Sequence, residues 1–239
     1  MHSSEFLRFY SSFFDITEVN STFYGIPSHA MTKKWKQQTP PHFRFTAKLP
    51  RVITHENRLQ RLSPHMESFL ESVGHLAPKY FLTVVQLPPS LSFEEARPRL
   101  DDLESFLSGR YAIEGRHDSW FSGQAKRYLA DRNICLVWGD VGKIRDTLPL
   151  TSDFVYLRVI GDRIIPDDQF GRIRRSRDAD LKAWAERLER IRDRVSFAIV
   201  LANNHYEGFG PATASKLMAL LGLEVPAWQT KDQKHITEF

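Results

Sequence analysis

A single cysteine, Cys135 within "ICLVW", excludes a disulfide framework inside this chain of 239 residues. A lone thiol in an apolar strand is a small core residue, and its isolation suits a reducing, cytoplasmic setting. No apolar run approaches the ~20 residues that cross a bilayer, so no membrane partner is expected. The opening "MHSSEFLRFYSSFF" lacks a basic region followed by an aliphatic stretch and reads as an amphipathic helix rather than a secretory signal. No Gly/Ser-rich or Pro-rich run is available as a linker, which argues for one domain over residues 1–239. Dense basic patches are also missing. A net charge of +4 and a pI of about 9.2 are mild, so nucleic acid is a possible but not favoured partner, while anionic or neutral small ligands are compatible.

What is present is a regular alternation. Seven short runs rich in Val, Ile, Phe and Tyr read as strands: "DITEVNSTF", "FRFTAKL", "FLTVVQL", "YAIEGRH", "ICLVWGD", "FVYLRVIG" and "SFAIVLAN". Helical or polar segments separate them. Parallel strands need such long crossovers, whereas hairpins need only a few linking residues. Ser28 is set to cap a helix containing Met31 and Trp35, and Ser63-Pro64 to open one carrying Met66, Phe69, Leu70 and Val73. Ser92 and Glu95 have capping-box spacing. Leu181, Trp184, Leu188 and Ile191 form an apolar stripe, and a last helix stops at Gly222. The expected fold is α/β, a TIM-type (β/α) barrel with parallel strands, seven of them visible. An open doubly wound sheet is the alternative, with little support for its nucleotide-binding form because no Gly-rich turn follows the first visible strand.

In a barrel, functional groups collect where strands end. Here each run closes on a polar or ionisable residue. They deliver Glu18, Asn20 and Tyr24, then Lys48, then Gln86, then Glu114, Arg116, His117 and Trp120, then Asp140, then Arg158, then Asn203 and Asn204. Alternate strand residues share a face ~6–7 Å apart, which would place Glu18 and Asn20 together. A carboxylate there needs donors around it, and Lys48, Arg116 and Arg158 are the available cations. Glu18, Lys48, Glu114 and His117 are the catalytic candidates, with His117 weighted above His55 and His65. Asn20, Tyr24, Gln86, Arg116, Trp120, Asp140, Arg158, Asn203 and Asn204 are the ligand-binding candidates. The plainer readings stand beside these. Strand-end charges also neutralise one another structurally, Trp120 and Tyr24 also pack as loop aromatics, Asn203 and Asn204 also hold turns, and "GRIRRSRD" reads first as a solvated face, second as a phosphate-binding loop.

The stretches "TEVNSTFYGIPS", "W…TPPHFRFTAKLPRVITHE", "VVQLPPS", "EGRHDSW", "FVYLRVIGDR" and "NNHYEGFGPATA" resemble, in that order, the domain of unknown function 72 family, also called YecE-like. The likeness runs from about Phe13 to Gly222. It implies a TIM-type barrel and leaves the reaction open. The family's Glu-x-Asn-Ser-x-Phe-Tyr falls on Glu18, Asn20, Ser21, Phe23 and Tyr24, and its Glu-x-Arg-His on Glu114, Arg116 and His117. Its strand-end lysine, glutamine, arginine and paired asparagines fall on Lys48, Gln86, Arg158, Asn203 and Asn204. Two departures stand out. Ile160 occupies a position where histidine is common, and the usual first strand resembling Gly-Thr-Ser-Gly-Trp does not precede the opening helix. Exposed sheet edges are expected from that second departure, along with either an upstream start or a cover, and a route to oligomers.

Three functional classes fit. The first is an enzyme for a small polar or anionic, sugar-like or phosphorylated ligand. Glu18 or Glu114 would then be acid or base, or Lys48 a nucleophile. The second is a metal-assisted hydrolase, possibly on nucleic acid. The third is a non-catalytic binding barrel. No cofactor and no metal ligand set is expected, with a divalent metal left open, and whether the chain is an enzyme stays undecided at this level.

Overall fold

The computed structural model describes residues 5–107, 109–139, 148–225 and 227. Its elements run α1 (Phe6–Tyr10), β1 (Ile16–Val19), α2 (His29–Gln38), β2 (Arg44–Lys48), α3 (His65–Gly74), β3 (Tyr80–Gln86), α4 (Phe93–Phe106), β4 (Tyr111–Glu114), α5 (Gly123–Asp131) and β5 (Cys135–Leu136). They continue with β6 (Trp138–Gly139), β7 (Phe154–Val159), α6 (Asp178–Glu189), β8 (Phe197–Ala202), α7 (Asn204–Glu207) and α8 (Gly210–Leu220). All seven strand runs form where their composition places them, and every strand pair is parallel. The run around Cys135 is interrupted at Val137, giving two short strands in two different sheets. Among the described residues the strands make a sheet of five and a sheet of three, and no pairing closes them into the expected barrel.

The chain divides into two compact units, the first comprising Asp15–Val137 with Pro149–Ser152. Its sheet has the order β1-β2-β3-β4-β5. Phe45, Ala47, Val84, Val85, Ala112 and Ile113 are all buried, as expected of strands covered on both faces. Met66, Phe69 and Val73 of α3 and Phe93, Ala96, Leu100 and Leu103 of α4 are buried at helical spacing. Ser28, Ser92 and Ser122 cap α2, α4 and α5, each accepting from the backbone N–H three residues on. Ser63 does not cap α3. Its hydroxyl bonds Glu67 at 2.6 Å, and Pro64 takes the cap position instead.

Register matters more than length here. Glu18 stands opposite Thr46, Lys48 opposite Val84, and Gln86 opposite Glu114. Opposed residues in neighbouring strands point the same way, and side chains alternate along a strand. Glu18, Lys48, Gln86 and Glu114 therefore share one face of the sheet. A one-residue register shift in the β2–β3 pair, between Phe45 and Thr46, sets this phase.

The second unit contains Met1–Phe14, Trp138–Leu148 and Asp153–Phe239, of which the described part carries the sheet β6-β7-β8. Phe154 stacks on Phe197 at 5.0 Å across β7 and β8. Leu181, Trp184 and Leu188 of α6 are buried as a stripe, with Tyr206 and Phe209 after β8. Gly222 adopts φ +66 just past α8 and ends it.

Candidate functional site

β1, β2, β3 and β4 end side by side, and each delivers a polar group at its last or next-to-last position. Lys48 Nζ lies 3.4 Å from Glu18 Oε1, with side chains only 10% and 4% exposed. That is an ion pair, looser than the ~2.7–2.9 Å of the tightest charge-assisted hydrogen bonds. One strand further, Gln86 Nε2 donates to Glu114 Oε2 at 2.9 Å. Arg116 Nε and Nη2 each lie 2.8 Å from Glu114 Oε1. Glu114 is thus held by an amide on one oxygen and a guanidinium on the other, while Arg116 stays 38% exposed. Among the described residues Arg116 Nη1 and Gln86 Oε1 have no protein partner, so both remain available to a ligand.

Gly115 separates Glu114 from Arg116 and allows the indole of Trp120 to pack beneath. A Cβ at Gly115 would sit 2.3 Å from Trp120 Cγ. Trp120 is fully buried, its Nε1 donates to the Leu91 carbonyl at 3.0 Å, and its ring meets Phe93 edge-on at 5.4 Å. It is a supporting core residue, and its ring offers no face for a ligand to stack on. Tyr24 is the opposite case, 82% exposed with its ring 5.3 Å from Phe23. Asn20 leaves the strand: β1 stops at Val19, Asn20 is helical and exposed, and the expected alternation with Glu18 ends there.

His117 is half-buried. Its Nδ1 accepts from the Ser119 backbone N–H at 3.2 Å and lies 2.9 Å from Ser119 Oγ, which itself accepts from Phe93 N. An acceptor at Nδ1 puts the proton of the neutral ring on Nε2, which makes His117 a donor towards any ligand.

Sequence reasoning underweighted His55. It lies on a π-helical turn, Val52–Glu56, directly after β2, closed by Asn57 N–H to the Val52 carbonyl at 2.8 Å. Such turns are rare and frequent at functional sites. His55 Nδ1 is 2.9 Å from Thr54 Oγ1, and the edge of Phe23 meets its ring at 5.0 Å. Burial pushes its titration below the usual histidine value. The positive charges of Arg116 and Arg51 push it the same way, and Glu114 and Glu56 oppose them. The signal available in the sequence was the motif "RVITHE", whose histidine belongs to no predicted strand end.

The candidates of the second unit are placed differently. Arg158 is buried in β7 between Gly139 and Leu201. Asn203 Oδ1 accepts from His205 N at 2.9 Å and Asn204 Oδ1 from Gly210 N at 2.8 Å, so both side chains hold the loop after β8. Asp140 lies outside the described residues. Three arginines of the run have protein partners, Arg174 on the Gln169 carbonyl and the other two on Asp162. Arg175 and Arg177 both bind Asp162 Oδ2 at 2.6 Å. The fully buried Glu207 accepts from Arg177 N, Lys216 Nζ and Thr213 Oγ1 at 2.8–2.9 Å. Glu207 and Asp162 were invisible as anchors because nothing local marks them.

No group of three or more His, Cys, Asp or Glu among the described residues is arranged to hold a metal ion. A groove of about 630 Å³ lies near the strand starts, beside Lys33, Lys36 and His75. Lys79 also borders it, but its Nζ is taken by the Lys36 and Thr39 carbonyls at 2.6 Å. No helix among the described residues is long and apolar enough to cross a membrane.

A family model described as "Protein of unknown function DUF72" matches residues 1–236. The chain is 29% identical over 130 residues to the UPF0759 protein YecE of Escherichia coli K12, covering 54% of this chain and 47% of that one, so it spans about half the length of the curated relatives it matches. A crystal structure of a DUF72 family protein from Thermotoga maritima superposes with a TM-score of 0.78 at 26% identity, over 93% of this chain and 91% of that one. One from Enterococcus faecalis gives 0.78 at 22% identity over 94% and 96%, a likeness of fold alone.

Proposed function

The chain belongs to the DUF72 family of proteins of unknown function, and from that premise we propose that the strand ends of β1–β4 form a cup for a small polar ligand carrying an anionic group. One observation carries the reading: Gln86 and Arg116 converge on Glu114 while each keeps a hydrogen-bonding atom uncommitted among the described residues. Arg116 is 38% exposed, so its spare atom can reach a ligand, and convergent polar groups with spare capacity are the mark of a ligand site. Arg116 Nη1 suits an oxyanion. An ionised Glu114 accepts hydrogen bonds only, and so suits a ligand hydroxyl or amine. A ligand with both features is sugar-like or phosphorylated.

The enzymatic version assigns Glu114 as general base or acid and the Glu18–Lys48 pair as a second charged centre. With it goes the finer architecture, a TIM-type barrel forming one domain. All-parallel pairing with intervening helices supports that architecture. Arg158, Asn203 and Asn204 remain ligand-binding proposals, and a cytoplasmic setting rests on the single buried cysteine.

Calorimetric titration with inorganic phosphate, simple hydroxycarboxylates and sugar phosphates tests this. At least one member should bind, and Arg116→Gln should weaken it by roughly tenfold or more, the worth of a hydrogen bond to a charged group. If nothing in the panel binds, or Arg116→Gln leaves binding intact, the cup is a structural charge network. Glu114→Gln then separates enzyme from binder: an enzyme keeps affinity and loses turnover.

A further inference from the structure

We infer that the groove beside the starts of β2 and β3 is a second ligand site, built for a small molecule that joins a phosphoryl group to an apolar body. It is independent of the cup. Lys79 stands just before β3 and Gln86 at the far end of that seven-residue strand.

The groove of about 630 Å³ falls within the ~300–1,000 Å³ of small-molecule sites. No carboxylate among the described residues lines it. Lys33 and Lys36 lie one turn apart on one face of α2, and both border the groove. Neither ammonium has a protein partner among the described residues. The carboxylates of the adjoining segments sit against histidines instead, Glu71 at 3.6 Å from His29 and Asp15 at 3.3 Å from His42.

The carboxyl end of a helix ordinarily repels anions, because its last carbonyls carry the negative end of the dipole. α2 ends beside this groove, and Lys79 reverses the sign there. Its buried ammonium donates to the Lys36 and Thr39 carbonyls at 2.6 Å and to Thr39 Oγ1 at 3.0 Å. A full positive charge is thereby fixed where the helix would present a partial negative one. Burial first, then the charges of Lys36 and Arg44, hold the titration of Lys79 below the ordinary lysine value, and no carboxylate opposes them. A cation cluster without a counter-charge favours an anion. Two free ammonium groups beside a fixed third suit a phosphoryl dianion better than a singly charged carboxylate.

The rest of the wall is apolar or rigid. Pro41 and Pro78 add apolar surface. The His75 ring is held by Nδ1, 2.8 Å from the Glu71 carbonyl, and by stacking on His29 at 4.4 Å. Gly74 keeps the groove open, since a Cβ there would meet nothing within 4 Å.

Phenyl phosphate is the probe, used at mildly alkaline pH where its phosphoryl group is a dianion. Inorganic phosphate and phenol are its two halves. In ¹H–¹⁵N spectra of the intact chain the Gly74 and Lys79 backbone amides report the groove, and the Gln86 side-chain amide reports the cup. Phenyl phosphate should move the groove signals and bind more tightly than either half. Lys33→Met and Lys36→Met should each weaken it by roughly threefold to tenfold, the range for a partly exposed charged contact. Gly74→Glu puts a carboxylate into the open space and should weaken it further. Groove signals that stay still overturn this proposal, and a response of Gln86 alone then leaves the cup reading standing. Equal affinity for inorganic phosphate and phenyl phosphate overturns the assigned ligand class. Binding that survives all three substitutions overturns the site. The first two outcomes are read on the wild-type protein, so they do not depend on any variant folding.

Discussion

Gly115→Ala offers the sharpest test of how the cup is supported. The new methyl group would lie 2.3 Å from Trp120 Cγ, 2.6 Å from its Cβ and 2.7 Å from Cδ2. These atoms are the root of the side chain and the fused ring, not a flexible tip, so relief requires moving the indole or the backbone. The indole cannot move freely: it is fully buried and bonded to the Leu91 carbonyl. Overpacking of this kind costs about 1–3 kcal/mol, and displacing the indole hydrogen bond adds about 1 kcal/mol. Urea denaturation should therefore show a loss of about 2–4 kcal/mol, and thermal unfolding a fall of several degrees in a chain of this size. Trp120→Ala removes Cγ and Cδ2, two of the three crowding atoms. In the Trp120→Ala background the same alanine at residue 115 should cost clearly less, so the double-mutant cycle should be non-additive. Because residue 115 separates Glu114 from Arg116, the single variant should also weaken ligand binding. Were Gly115→Ala to fall within about 0.5 kcal/mol of wild type, the size of an ordinary surface change, the packing argument would fail.

Lys79→Met removes three donors from the carboxyl end of α2 and should cost about 2–3 kcal/mol by denaturant titration; no loss would mean that water replaces the ammonium. Glu207→Ala takes an acceptor from the Arg177 N–H and the Thr213 hydroxyl, and from Lys216 one of its two carboxylates, the other being Asp178, and should destabilise by about 1–3 kcal/mol. A near-neutral result would show that the arginine loop holds itself. Lys48→Met leaves Glu18 buried without this cation and should likewise cost about 3–5 kcal/mol, checked by chemical denaturation. His55 titrates lower in the folded chain than in the unfolded one. Its contribution to stability is therefore present above the unfolded histidine value and lost as pH falls below it. His55→Gln should flatten that acid-side decline, and an unchanged pH profile would remove His55 from the account.

The parallel sheet was legible because each strand run is β-branched or aromatic and each connection is long. Ser28 and Ser92 capped where their spacing said they would. What the sequence could not carry was anything depending on partners distant along the chain. Asn203 and Asn204 each give an amide oxygen to a loop N–H, of His205 and Gly210, a use that no strand-end count announces. Trp120 looks like a stacking platform until Gly115 makes room for it underneath. His55 follows its strand by a rare turn that no periodicity announces. Gln86, Glu114 and Arg116 were correctly grouped as strand-end residues because strand ends can be counted, whereas their mutual contacts rest on register.

That register has one hinge of its own. The shift between Phe45 and Thr46 lets Lys48 meet Val84 rather than Thr83. Counting without the shift would turn Gln86 and Glu114 to the side of the sheet away from Glu18 and Lys48. Excising Phe81 would remove only the extra residue, so Thr46 would still meet Leu82 and both carboxylates would keep one side. Excising Thr83 with the bulge kept should instead act like a skipped stitch, every strand remaining while the two carboxylates look in opposite directions.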